Sequence, residues 1–241
     1  MDRDTQLVLF QAQVKNVREL DKAWTHIKRS INTALTKDNQ ASAVIHTKLL
    51  ALVYSAWLEA TFSKLIHTPY GFELNEISQI KDACISRRGY RGNIVNAWKK
   101  CVDIAVSRID SGKSNYKPNI RQKLNRLIKE YVEDPSLLRN KIAHGQWSQA
   151  LNSDNTGINN QLTESIATID VVKLDVLRDA CKGLCEIVEA LIESPERSFH
   201  RDYWIILSEL EEHLSKTANY SLADKITKLK SKSRSISCTR L

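Results

Sequence analysis

Arg139, Asn140 and His144 are the residues of this chain whose types and spacing best suit chemistry at a phosphate. On a helix turning about 100° per residue, with Arg139 as origin, Ala143 falls at about 40°, Asn140 at about 100° and His144 at about 140°. Three polar groups then share one side around a small residue. Leu138 and Ile142 fall at about 260° and about 300°, where they can anchor the helix from the other side. Histidine exchanges protons near neutrality, and a planar guanidinium grips phosphate oxygens and stabilises developing charge. Asn140, one turn before His144, could orient the imidazole or hold a phosphate oxygen. An RNA substrate supplies its own nucleophile in the ribose 2′-hydroxyl, so no metal and no cofactor is expected.

Charge gives such a substrate a place to dock. The chain of 241 residues has net charge +8, and residues 81–146 hold 15 Lys/Arg against 6 acids, so the remainder is close to neutral. Arg87, Arg88, Arg91, Lys99, Lys100 and Lys141 are the candidates for guiding RNA through phosphate neutralisation and counterion release.

The elements that must position these groups read as all-α. With 7 Gly and 4 Pro, turns are few and long helices are expected. Apolar residues from Leu7 to Leu35 recur at spacings of three and four, and a second helix over about 41–66 is apolar on most sides, so it is expected to be central. Further helices are predicted over 74–85, 93–109 and 118–132. Asp134-Pro135 reads as an N-cap and a first-turn proline opening a separate motif helix over about 135–145, closed by Gly145. Residues 146–163 read as a loop or irregular hairpin, about 170–192 as a long helix, and about 199–232 as two more, with the basic end from Lys230 fraying. Residues 1–193 are thus expected to form a bundle and 194–241 a C-terminal helical extension.

Arg139-Asn140-Lys141-Ile142-Ala143-His144-Gly145 resembles the R-x4-6-H motif of HEPN-domain ribonucleases, in its R-N-x-x-x-H form. The stretch Leu52 to Ala60 also resembles the upstream HEPN helix, which presents an acidic residue, here Glu59, toward the motif. The resemblance covers about residues 40–193. It implies a HEPN-like bundle that forms a homodimer with a composite cleft, each subunit supplying one Arg139 and one His144. It also implies metal-independent RNA cleavage to 2′,3′-cyclic phosphate and 5′-hydroxyl ends, in a toxin–antitoxin or phage-defence setting with an antitoxin or defence partner. A non-catalytic HEPN module that binds RNA or a partner, and a helical adaptor, are the alternatives; the intact Arg139-Asn140-His144 face speaks against both.

Other residues point to core or surface. Cys84, Cys101, Cys181, Cys185 and Cys238 show no CxxC pair, and Cys181 and Cys185 read as small buried residues of one helix. His26, His46, His67, His200 and His213 stand alone and read as surface or helix-face residues, and Tyr203-Trp204 as core. No apolar run approaches bilayer-spanning length and Met1 to Asp4 is charged where a secretory signal needs an apolar core, so a cytoplasmic protein with no membrane partner is expected.

Overall fold

Helices carry nearly all of the chain in the computed structural model, which describes residues 1–85, 93–109, 115–193 and 202–238, with side chains as far as Lys232. The order is α1 (Arg3–Thr36), α2 (Gln40–Ile66), α3 (Leu74–Cys84), α4 (Ile94–Ser107), α5 (Tyr116–Ile128), a π-helical segment (Lys129–Glu133), α6 (Asp134–Ala143), α7 (Asn160–Thr168), α8 (Val171–Glu193), α9 (Trp204–Thr217) and α10 (Leu222–Cys238). The one β-type pairing among the described residues is an isolated antiparallel bridge, Leu151 to Ile158. The chain is therefore all-α, as its composition predicts.

Two units divide the chain. The first comprises Met1–Arg18, Trp57–Pro135 and Asp179–His213. Its core is built on α4, where Trp98, Cys101, Val102 and Ala105 are fully buried, with Phe62 of α2 stacked at 4.5 Å from Trp98. Arg108, just past α4, ties loop ends together. It pairs with Glu76, donates to the carbonyls of Gly71 (3.2 Å) and Ile192 (3.3 Å), and lies over the Phe72 ring. Cys181 and Cys185 are buried here, and the hydrogen bond that the Cys185 thiol donates to Cys181, then burial, holds that thiol well above its ordinary range. Both are core residues, as their spacing suggests.

The second unit comprises Glu19–Ala56, Ser136–Arg178 and Leu214–Leu241. Trp24, Ile31 and Leu35 of α1, Leu50 and Tyr54 of α2, and Val171 and Leu174 of α8 fill its core. Arg178 pairs with Asp21 and covers the Trp24 ring at 4.7 Å, shielding that indole from water. Burying each large apolar side chain contributes about 1.5–3 kcal/mol, whereas an exposed pair such as Lys22–Glu19 contributes about 0–1 kcal/mol. Apolar packing therefore sets the fold.

Several expectations are corrected. Asp134 is not an N-cap: its dihedrals are helical (φ −59°, ψ −46°), and its N–H donates to the Lys129 carbonyl five residues back. Pro135 has no N–H to give Tyr131, and the wider π turn just ahead of it carries the helix past the proline instead of ending it. Helical structure thus runs from Tyr116 to Ala143. α7 (Asn160–Thr168) begins inside the stretch 146–163 read as a loop and was not predicted; Asn159 caps it by accepting from the Leu162 N–H at 3.0 Å. α10 extends to Cys238 where fraying was expected. His67 is buried, its Nδ1 2.6 Å from the Ser63 carbonyl, and burial lowers its pKa below the ordinary 6.5. Of the aromatic pair, Tyr203 is buried but Trp204 is 42% exposed, its indole N–H donating to the Tyr116 hydroxyl. α2 is also long and apolar enough, at mean hydropathy 1.3, to cross a membrane, although 61% of its most apolar window is buried inside the protein. His200 lies outside the described residues.

Candidate active site on the motif helix

The face predicted from the helical wheel is present on α6, in the second unit. Ile142 is 1% exposed and anchors the helix, while Asn140, Ala143 and His144 are exposed and Arg139 is partly so. Among the described residues, the Asn140 and His144 side chains make no hydrogen bond, so both are open to a ligand. Leu137, at about 160° on the same wheel, adds a 49% exposed apolar side chain on the His144 side about two turns earlier.

Local chemistry fixes where His144 sits. Gly145 takes φ +78°, which a side chain resists, and its N–H donates to the Ile142 carbonyl at 3.1 Å. The Gln146 N–H then reaches the Lys141 carbonyl at 2.9 Å, completing a Schellman motif that makes His144 the last residue of the helical path. The Trp147 indole adds a second donor to the Ile142 carbonyl, at 2.9 Å, on top of the Gly145 N–H.

Groups far away in sequence hold this end. Lys48 of α2 donates to the Trp147 carbonyl and lies 5.8 Å from the centre of its ring. Lys141 reaches the Leu151 carbonyl at 2.5 Å, and the Gln146 side chain accepts from the Leu151 N–H at 2.8 Å. The bridge between Leu151 and Ile158 closes a short hairpin, pinned at Ala150 by the Thr163 hydroxyl. Lys48 and Trp147 were missed from the sequence; the signal was a lysine at the head of the apolar run of α2.

The other candidates are placed as follows. Glu59 is exposed on α2 but belongs to the first unit, where its charge adds to burial in raising the Cys84 thiol. Lys99 and Lys100 are half-buried on α4, also in the first unit, and Lys99 Nζ lies 3.6 Å from Glu133. Arg87, Arg88 and Arg91 lie outside the described residues. Of the nominated residues, Arg139, Asn140, Lys141 and His144 thus share one helix of one unit. Among the described residues, no three or more His, Cys, Asp or Glu gather where they could hold a metal ion.

Chemically, the α6 face offers a guanidinium, an amide and an imidazole on a helix end that other groups hold rigid. It suits binding of an oxyanion with proton transfer beside it. No protein-family model, no curated protein and no solved structure matches the chain.

Proposed function

We propose that this protein is a metal-independent endoribonuclease of the HEPN type. The observation that carries the reading is the surface of exposed Asn140 and His144 beside a partly exposed Arg139, on a helix whose end is fixed by Gly145, Trp147 and Lys48.

In this reading Arg139 holds the non-bridging oxygens of the scissile phosphate through paired N–H donors. The ribose 2′-oxygen attacks the adjacent phosphorus and loses its proton to an imidazole acting as base. The bond from phosphorus to the 5′-oxygen breaks, and that oxygen takes up a proton. The products are a 2′,3′-cyclic phosphate and a 5′-hydroxyl, with no water consumed. Asn140 steadies a phosphate oxygen or the imidazole. Base and acid are needed on opposite sides of the phosphorus, and one chain offers a single histidine on this face, so a homodimer in which two α6 faces meet supplies both.

Exposed apolar side chains in the second unit support such pairing: Leu137 at 49%, with Ile45 at 50% and Leu49 at 36% on α2. Lys141, turned to the Leu151 carbonyl, serves first to hold the hairpin, leaving Lys99, Lys100 and the arginines of 87–91 as the RNA-guiding groups of this proposal. The proposed setting is cytoplasmic, as a toxin or phage-defence effector controlled by a partner protein.

The test is incubation of wild type, Arg139→Ala and His144→Ala with total cellular RNA. Fragments from the wild type alone support the enzyme. RNA binding without cleavage by any of the three would instead favour a non-catalytic binding module.

A further inference from the structure

The hairpin of α1 and α2 carries a concentration of positive charge that the reading above does not use. From Lys22 to Leu58 there are five Lys/Arg and a single acid, Asp38. Most of these cations are engaged: Lys22 with Glu19, Lys28 with Asp175 at 2.6 Å, and Lys48 with the Trp147 carbonyl. Asp38 is itself turned to Lys230 of α10 at 2.6 Å. Arg29 and Lys37 are left with no ion pair among the described residues, and both are exposed.

These two cations line the same concavity, of about 480 Å³, together with His26 and His46. No carboxylate is in its lining, and none of its residues belongs to α6. Gathering basic groups around one depression costs repulsion unless an anion occupies it. Ser30, Thr33 and Ser42 also line it, the Ser30 and Thr33 hydroxyls donating to the His26 and Arg29 carbonyls of their own helix. His46 is held in place by its Nδ1, which lies 2.7 Å from the Ser42 carbonyl and 3.2 Å from the Ser42 hydroxyl. The turn is locked in place. Asp38 takes φ +55°, its N–H and that of Asn39 return to the Leu35 and Ala34 carbonyls, and the Asn39 side chain accepts from the Ser42 N–H.

We propose that this cradle binds a phosphate group, with the Arg29 guanidinium and the Lys37 ammonium as its charged contacts. The depression has the size of a nucleotide site. The phosphate belongs either to a small phosphorylated molecule or to an RNA backbone. The site does not depend on the Arg139–His144 reading.

The experiment is isothermal titration of the full chain with pyrophosphate and, separately, with an uncleavable 2′-O-methyl oligonucleotide. Pyrophosphate is expected to bind the wild type and His144→Ala alike, and Arg29→Ala/Lys37→Ala to weaken it by about tenfold or more through loss of two charge-assisted contacts. The reciprocal exchange Arg29→Lys/Lys37→Arg should retain most of the affinity, and unchanged thermal unfolding of the alanine pair would show that the loss is local. An equal loss for the oligonucleotide identifies the phosphate as RNA backbone, and a loss for pyrophosphate alone identifies a small ligand. No pyrophosphate binding by the wild type, or undiminished binding by the alanine pair, overturns the proposal. RNA cleavage is read separately, so failure of either site leaves the other standing.

Discussion

Replacing Gly145 by alanine isolates the backbone geometry that places His144. The residue holds φ +78°, and a Cβ built there meets nothing within 4 Å, so the substitution adds no clash. What remains is the cost of a left-handed conformation for an L-residue, roughly 1–2 kcal/mol. Against this, alanine restricts the unfolded chain relative to glycine, which offsets about 0.4–1 kcal/mol. The net expectation is a destabilisation of about 1 kcal/mol, or about 2–4 °C in Tm for a chain of this size. Gly145→Asn should cost less, because asparagine tolerates the left-handed region. Urea unfolding of the three proteins at equal slope measures the difference. Relief of the strain by loosening the last turn of α6 would move His144, so cleavage should fall more steeply than stability. An alanine variant as stable as wild type, or an asparagine variant less stable than the alanine one, would refute the Schellman geometry.

Three further predictions follow from named contacts. Arg108→Ala leaves Glu76 without this cation and removes the side-chain donor to the Gly71 and Ile192 carbonyls, and is expected to cost about 2–4 kcal/mol in chemical denaturation; a loss no larger than that of a surface arginine would show the cluster to be decorative. Lys48→Met keeps the side-chain stem but removes the bond to the Trp147 carbonyl, so a loss of about 1–2 kcal/mol is expected, together with weakened RNA cleavage; full activity would mean that the α6 end does not need this brace. Burial lowers the His67 pKa, so the unfolded chain binds a proton there more readily than the folded one. That contribution to stability is complete above the ordinary value of 6.5 and is lost as pH falls below it toward the folded value. Wild type should therefore lose more stability than His67→Gln between about pH 7.5 and about pH 5.5, and equal losses would contradict the burial of a neutral imidazole.

How far the sequence predicts this structure depends on how local each signal is. The stripe from Leu7 to Leu35 repeats over many turns, and α1 follows it within a few residues at each end. The polar face of α6 needed only the helical period and the positions of Leu138 and Ile142. The π segment escaped detection because Asp134-Pro135 has the composition of a helix start, and nothing local distinguishes a start from a wider turn that accommodates proline. α7 spans only 9 residues after an asparagine-rich stretch, too short for a periodic stripe to emerge. The burial of His67 and the brace from Lys48 to Trp147 are set by partners brought together in three dimensions. The Arg29–Lys37 cradle was hidden differently, since averaging over the chain outside 81–146 cancels its charge against acids elsewhere.

End-group analysis of the RNA fragments tests the central claim most directly. The purified protein and its His144→Ala variant are incubated with total cellular RNA in the presence of EDTA, and the termini of any fragments are mapped. Cleavage by the wild type alone, leaving 2′,3′-cyclic phosphate and 5′-hydroxyl ends, is the predicted result. Fragments with 3′-hydroxyl and 5′-phosphate ends, or equal cleavage by His144→Ala, would contradict it.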